Sequence, residues 1–148
     1  MSLNSQIRTI CETINPDDIF LFSSKFRANV QAHTTSAIDK YLIILDNELS
    51  KNSEIKKNNN VIKDTKIVIS VLTLDKQDNT DQQSEDIRAA CETIADRIAA
   101  NIYQLIEVRP NGNQKYKIIP MFHVFASGLT GVAMEMQVNY NEIVNFSI

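Results

Sequence analysis

The feature that most constrains the fold is a stretch of helical periodicity between Ser84 and Glu107. Apolar residues recur there at spacings of three and four, and polar or charged residues fill the positions between them. This pattern predicts one amphipathic helix whose apolar stripe needs a partner surface. Because the flanking segments have strand character, we expect a sheet with this helix packed on one face. The apolar positions are Ile87, Cys91, Ile94, Ala95, Ile98, Ile102, Leu105 and Ile106.

Residues typical of helix ends flank this stretch on both sides. Glu85 and Asp86 stand where the helix dipole favours anions. The run Pro110-Asn111-Gly112 predicts the end of the helix. Any of five residues near its start could cap the exposed amides: Asp78, Asn79, Thr80, Asp81 and Ser84.

Length and charge restrict the class of protein further. With 148 residues, of which 43% are hydrophobic, the chain suits a single domain spanning residues 1–148. A net charge of -3 offers no global attraction for nucleic acid or an anionic membrane surface. No apolar run is long enough to cross a bilayer, and the N-terminus lacks the pattern of a secretory signal. We therefore expect a soluble protein that is neither secreted nor bound to a membrane.

The N-terminal third predicts a short helix followed by two strands. Ser5 to Ile14 carries apolar residues at helical spacing, and Asn15-Pro16 stops the pattern. Asp18 to Ala32 predicts one strand or a strand with a bend, and the small polar residues 33–40 predict a loop. The continuous apolar run from Tyr41 to Leu45 predicts a central strand.

A polar segment separates this strand from the most β-prone run of the chain. Ser50 to Asn60 has almost no apolar side chains to bury. Burial therefore cannot offset the conformational entropy that this segment would lose on ordering, and we expect a flexible tip. The β-branched run from Thr65 to Leu74 predicts the next strand. Together these segments predict a long hairpin whose polar tip, residues 50–60, projects into solvent.

A second hairpin is predicted to close the chain. Pro120 lies within the strand pattern of Lys115 to Phe125 and indicates an edge strand or a bulge. Two glycines follow in Phe125-Ala-Ser-Gly-Leu-Thr-Gly and predict a tight turn. From Val132 to Tyr140 large apolar residues alternate with Ala133, Glu135, Gln137 and Asn139, which predicts a strand with one buried face.

The predicted fold class is therefore α+β, with two layers. It consists of a mixed or antiparallel sheet, a long amphipathic helix at about residues 84–107 on one face, a short N-terminal helix and a C-terminal β-hairpin.

The two cysteines do not form a close pair in sequence. Cys11 and Cys91 each lie on the apolar side of a helical pattern, where a small hydrophobic residue is wanted. We predict two buried, reduced thiols. The sequence leaves the alternative of a disulfide between them open, because separation in sequence does not determine separation in space.

The sequence contains no arrangement typical of catalysis, cofactor binding or metal binding. His33 and His123 are the two histidines, and neither has a carboxylate or thiol partner nearby in sequence. Asp75, Asp78 and Asp81 are spaced by three, but this segment lacks the glycine and the final glutamate of an EF-hand loop. We therefore predict a protein that is not an enzyme and has no catalytic, cofactor-binding or metal-binding residues.

Charge is distributed unevenly along the chain and predicts a surface for self-association. Residues 51–66 are rich in lysine, and residues 75–86 are rich in acid. The basic segment has no arginine or aromatic residue to stack on bases, so we expect no sequence-specific binding of nucleic acid. Head-to-tail association needs two complementary patches on each subunit. The candidate oligomer-interface residues are Lys51, Lys56, Lys57, Lys63, Asp75, Asp78 and Asp81.

The order of elements resembles a group of small bacteriophage proteins, the tail-terminator and tail-completion (head-tail joining) minor structural proteins. The residues that carry the likeness are the helix Ile87 to Ile106 and a closing strand pair. That pair is joined by Phe125-Ala-Ser-Gly-Leu-Thr-Gly-Val and continues into Met134-Glu-Met-Gln-Val. The likeness covers the C-terminal half of the chain. The segment through Ala32 is not matched, and the arm at 50–60 is longer than such a fold needs.

The resemblance implies a non-enzymatic assembly protein of a phage or prophage. Members of that group form rings at the head-tail junction or the tail end and have no catalytic residues to transfer. The implied partners are further copies of the chain and other phage tail or head-joining proteins. The implied location is the cytoplasm of a bacterial host or the virion.

The competing interpretation is a small α+β ligand-binding or regulatory domain, which could be dimeric. Its pocket would lie between helix and sheet, with a few convergent polar groups. Five phenylalanines could line such a pocket or belong equally to the core. They are Phe20, Phe22, Phe26, Phe122 and Phe125. An enzyme would require a cluster of titratable groups that only folding brings together.

Overall fold

The computed structural model describes residues 3–14, 19–22, 41–46, 51–57, 60–105, 114–124 and 128–143. These residues form two helices and six strands of one α+β fold. In chain order the elements are α1 (Leu3–Ile14), β1 (Ile19–Phe22), β2 (Leu42–Leu45), β3 (Lys51–Ile55), β4 (Asn60–Leu74), α2 (Asp81–Tyr103), β5 (Tyr116–Val124) and β6 (Leu129–Ile143). The strands form one sheet in the order β1-β2-β4-β6-β5, and β3 also pairs with β4.

The sheet is built on the antiparallel pair of β4 and β6. These two strands of 15 residues stay in register from Asn60 opposite Ile143 to Leu74 opposite Leu129. β2 and β3 lie on the other side of β4, at its two ends, and β5 lies beside the first half of β6. β1 pairs with β2 in parallel, so the sheet is mixed. The predicted fold class and both predicted hairpins are confirmed.

The core lies between the helices and one face of the sheet. Alternate residues of β4 and β6 point to this face, as the period of two in the sequence requires. α2 covers them with the apolar stripe predicted from its periodicity, and α1 adds Leu3, Ile7 and Cys11. The opposite face carries a smaller buried cluster of Leu42, Ile44, Leu72 and Leu129. The buried core residues of the central strands are Ile67, Ile69, Val71, Val132, Met134, Met136, Val138 and Tyr140.

α2 begins three residues before the predicted start at Ser84. Thr80 is the N-cap: its hydroxyl accepts from the Gln83 amide, and the Gln83 side chain accepts from the Thr80 amide. This capping box satisfies two amide groups at the helix start. The helix ends at Tyr103, and the Leu105 amide donates to the Ile102 carbonyl in a tightened last turn. The predicted stop at 110–112 lies outside the described residues.

The prediction that residues 50–60 form a flexible tip is wrong for Lys51–Ile55. This segment forms β3, in which five residues pair with β4 between Val61 and Thr65. β4 accordingly begins at Asn60, five residues before the predicted start at Thr65. The Lys56 amide donates to the Asn60 carbonyl at 2.8 Å and closes the turn. Backbone pairing orders this polar segment, whereas the sequence argument weighed the burial of side chains alone.

The remaining predictions agree with the structure except at a few positions. α1 starts at Leu3 rather than Ser5, and β1 is restricted to Ile19–Phe22, while the rest of 18–40 lies outside the described residues. β5 is an edge strand that contains Pro120, with an irregular register between Met121 and Val124, as predicted. Within the described residues, the structure has no helix long and apolar enough to span a membrane.

Only one of the two glycines assigned to the closing turn lies in it. Gly128 has a φ of 69° and occupies the turn. Gly131 instead lies within β6, opposite Leu72. A Cβ atom at Gly131 would overlap the carbonyl oxygen of Val71, so this glycine permits a close approach of two backbones.

We predict that Gly131→Ala lowers the free energy of unfolding by about 3 kcal/mol, because the added methyl group forces β4 and β6 apart. The matched control is Gly128→Ala, whose methyl group would make only an ordinary contact with the Asp75 carbonyl oxygen at 3.5 Å but would occupy a left-handed backbone position, and it should cost about 1–2 kcal/mol. Urea unfolding of both variants measures the difference. A Gly131→Ala protein as stable as the wild type would contradict the close approach.

Candidate functional site

The basic residues predicted to form an interface fall into two groups. Lys56 and Lys57 are exposed at the turn between β3 and β4. Beside them Ile55 is 63% exposed, the largest exposed fraction of any large hydrophobic residue described. We call Ile55, Lys56 and Lys57 the hairpin tip. It presents an apolar side chain and two cations on a backbone held by the bond from Lys56 to Asn60.

The other basic residues lie further back on the sheet. Lys51 starts β3 opposite Thr65, and Lys63 is half-buried in β4 opposite Ser53. The Lys66 ammonium lies 3.3 Å from a carboxylate oxygen of Glu135, so its charge already has a partner. Among the predicted interface lysines whose side chains the structure describes, Lys56 and Lys57 are therefore the exposed ones.

Two of the predicted acidic residues are exposed at the opposite end of β4. Asp78 lies in the turn after β4, and Asp81 is the first residue of α2. β4 has 15 residues. At a rise of 3.3 Å per residue, its two ends are about 45 Å apart. The acidic end and the hairpin tip are therefore distinct surfaces of one subunit, and they do not meet within it.

Asp75 does not belong to this surface, which corrects its assignment as an interface residue. It is only 2% exposed, and three side chains contact its carboxylate. The Asn79 amide donates at 2.7 Å, the Thr130 hydroxyl donates at 2.7 Å, and the His123 Nε2 atom lies at 3.3 Å. Ser84 also hydrogen-bonds to it. Asp75 therefore ties the end of β4 to the start of α2 and to the β5–β6 hairpin.

The hydrogen bonds around Asp75 decide its protonation state. Desolvation by burial is the largest single effect and raises its pKa. Hydrogen bonds from Ser84, Thr130 and Asn79, together with the charge of His123, outweigh burial and hold the pKa of Asp75 below its usual value. The carboxylate is therefore ionised at neutral pH and acts as a buried acceptor.

His123 is held in an unusual backbone conformation beside this carboxylate. Its φ is 48°, within the left-handed region that non-glycine residues rarely adopt. Its amide donates to the Thr130 hydroxyl at 3.1 Å, and the β5 register is irregular here. The hydroxyls of Thr130 and Ser84 are bound to Asp75 rather than to the imidazole. The arrangement is consequently a hydrogen-bonded clamp and differs from a nucleophile–histidine–carboxylate relay.

Sequence reasoning missed this cluster, although β4 carried a usable signal. Ile67, Ile69 and Val71 point to the core, and the same alternation places Asp75 on that side. The closing hairpin brings Thr130 and His123 to the same position, which no local pattern predicts. His33 lies outside the described residues.

A cavity of about 300 Å³ lies between the C-terminal half of α2 and the start of β5. Asp96, Ala100 and Tyr103 line it from the helix, and Tyr116 and Met136 line it from the sheet. The Tyr116 hydroxyl donates to Asp96 Oδ1 at 2.7 Å, and this hydrogen bond is the main cause that raises the pKa of Tyr116. Both tyrosines are about two-fifths exposed, at 40% for Tyr103 and 41% for Tyr116. This site has an apolar floor, two aromatic rings and one carboxylate.

The phenylalanines proposed for a ligand pocket do not line this cavity within the described residues. Phe122 is exposed on β5. Phe20 and Phe22 lie in β1, and Phe26 and Phe125 fall outside the described residues.

The described part of the chain offers no cluster for a metal ion and has two free thiols. It contains no group of three or more His, Cys, Asp and Glu side chains that could hold a metal ion. Cys11 and Cys91 are both buried free thiols, which confirms the prediction for them. The Cys91 thiol points to the Thr130 carbonyl oxygen at 3.8 Å.

No protein-family model matches this chain, and no curated protein matches it either. A functional assignment must therefore be argued from the surfaces of the molecule itself. The strongest candidates are the hairpin tip, the acidic end, the outer strands of the sheet and the cavity beside α2.

We predict that Asp75→Asn destabilises the fold by about 1.5–3 kcal/mol at neutral pH, because charge-assisted hydrogen bonds are lost. Since folding lowers the pKa of Asp75, its stabilisation is complete above the ordinary value of 3.8 and is lost as pH falls through the folded pKa. Urea unfolding of both proteins between neutral and acidic pH should show their stabilities converging below about pH 4. The exposed Asp78→Asn is the matched control. A constant difference across this range would refute the role of the charge.

Proposed function

We propose that this chain is a non-enzymatic assembly subunit that associates head-to-tail into a closed ring. A tail-terminator or tail-completion protein of a phage or prophage is the specific role proposed, on the resemblance in its C-terminal half. The observation that carries the proposal is the presence of two unlike surfaces, the basic hairpin tip and the acidic end, at opposite ends of β4. Unlike surfaces on one subunit produce heterologous contacts, which close into rings or continue as filaments.

The outer strands of the sheet support the same proposal. Among the described strands, β3 pairs with β4 alone and β5 pairs with β6 alone. An outer strand presents unpaired amide and carbonyl groups that can pair with a strand of another chain. β3 and β5 differ in length and sequence, so a contact between these two outer strands would again be heterologous. Backbone pairing would supply affinity, while charge would steer the encounter.

A small ligand-binding or regulatory domain is the second candidate, and the cavity beside α2 is the observation that favours it. Its volume of about 300 Å³ is at the lower end of the range for ligand pockets. Two tyrosine rings and a carboxylate provide convergent polar groups. In that case self-association would be absent, or limited to a dimer that uses like surfaces.

Light scattering on the purified protein, at several concentrations and two salt levels, tests the proposal. We expect a mass that grows with concentration, reaches the plateau of a closed ring and falls at high salt, because screening weakens the steering charges. A monomer under all conditions would contradict head-to-tail assembly. A tight dimer that is insensitive to salt would favour the ligand-binding domain.

A charge reversal at the hairpin tip sharpens this test. We predict that Lys56→Glu shifts the assembly to higher concentration, because it places an acid where a cation should meet an acidic surface. Lys76→Glu is the matched control, since Lys76 is also an exposed lysine in a turn but lies at the acidic end. It should leave assembly unchanged or strengthen it. Equal weakening by both variants would show that net charge, not the hairpin tip, governs association.

A further inference from the structure

The cavity beside α2 has the chemistry of a site for an organic cation. The carboxylate of Asp96 is bound by the neutral hydroxyl of Tyr116, so its negative charge is not cancelled by that contact. The rings of Tyr103 and Tyr116 line the same cavity, and tyrosine faces attract ammonium and guanidinium groups. The methyl groups of Ala99 and Ala100 provide an apolar wall for an alkyl stem.

The electrostatic surroundings favour a positive occupant. α2 has no basic residue in its last turn, so no side chain of that turn compensates the negative end of the helix dipole near Tyr103. The pKa of Tyr116 is raised first by its hydrogen bond to Asp96, then by burial, and then by the charges of Asp96 and Glu92. Lys117 is directed to the other face of β5, where it lies opposite Glu135.

The hairpin tip offers a matching cation. Lys56 and Lys57 are exposed, and Ile55 adjoins them with most of its surface in solvent. The strand pair β3–β4 and the bond from Lys56 to Asn60 hold the backbone of Ile55 and Lys56 in place. A preordered turn loses less conformational entropy on docking than a flexible loop.

The hairpin tip cannot reach the cavity of its own chain. Met136 in the cavity wall pairs with Ile67, and the tip joins β4 near Val61, six residues away. Six residues of extended strand span about 20 Å. The occupant must therefore come from a second copy.

We propose that the hairpin tip of one copy docks in the cavity of the next copy, with a lysine ammonium against Tyr103 and Tyr116 and Asp96 as its counter-ion. This inference rests on the proposed head-to-tail function and names its contact. The cavity is a better acceptor than Asp78 and Asp81, because these two acids are exposed at a turn and a helix start, whereas Asp96 shares a recess with two tyrosine rings.

Complementation between two variants tests the docking. In K56E/K57E the charge of the hairpin tip is reversed and the cavity is unchanged. In D96K the charge of the cavity is reversed and the hairpin tip is unchanged. We expect each variant alone to be monomeric at concentrations where the wild type assembles. Their mixture should regain assembly, because the tip of D96K fits the cavity of K56E/K57E and the acidic tip of K56E/K57E meets the basic cavity of D96K. T93K is the matched control for D96K, because it places the same lysine at an exposed position of the same helix outside the cavity lining and outside the acid-rich segment, and it should assemble like the wild type.

The outcomes separate this inference from the proposed function. Assembly that survives both K56E/K57E and D96K would overturn the docking and leave the head-to-tail function standing. Complementation of K56E/K57E by D78K/D81K instead of D96K would also overturn it, because the acidic end would then receive the tip. A wild-type chain that never assembles would overturn both.

A small probe tests the cavity without assembly. The ammonium form of n-butylamine mimics a lysine side chain and can be titrated into K56E/K57E, with the ring signals of Tyr103 and Tyr116 followed by NMR. We expect saturable shifts that D96N weakens about tenfold, through the loss of one charge-assisted contact. The uncharged n-butanol should produce no such shifts. Equal shifts with butanol, or equal binding by D96N, would overturn the assignment of a cation site.

Discussion

The antiparallel pairing of β4 with β6 is the constraint on which the rest of the structure depends. Its register runs without a break over 15 residues of each strand. One half of the pair carries the buried residues beneath α2, and the other half extends toward the hairpin tip. A slip of one residue would turn every core side chain to the opposite face. The same pairing therefore fixes the core and sets the distance between the surfaces proposed to associate.

The sequence predicts the elements whose signal is local and repeated. The periodicity of α2 and the alternation from Val132 to Tyr140 each correspond to an observed buried face. β3 could not be predicted from its own residues, because a polar segment with exposed side chains is ordered by the backbone of β4. Gly131 was assigned to a turn because a glycine can permit either a turn or a close backbone approach, and only the fold distinguishes them.

The sequence predicted only part of the candidate surfaces, because it does not show which charged residues become buried on folding. Lys56, Lys57, Asp78 and Asp81 are exposed, as an interface requires. Asp75 has the same residue type as its two neighbours in the pattern but is enclosed by Thr130, Ser84 and Asn79. The residues that line the cavity could not be predicted, because Asp96 and Tyr116 are 20 residues apart and become neighbours only when β5 packs beside α2. Charge patterning thus located the basic tip but not its proposed acceptor.

The central claim, contact between the hairpin tip of one copy and the cavity of the next copy, can be tested most directly by a cysteine cross-link. A chain with Lys57→Cys and Ala100→Cys carries one new thiol at the hairpin tip and one in the cavity wall, while Cys11 and Cys91 stay buried. Head-to-tail contact predicts a ladder of disulfide-linked oligomers on mild oxidation, and monomers from either single variant. A disulfide requires Cβ atoms within about 4.5 Å, so a ladder reports close contact. Dimers from Lys57→Cys alone, or no ladder from the double variant under assembling conditions, would contradict the claim.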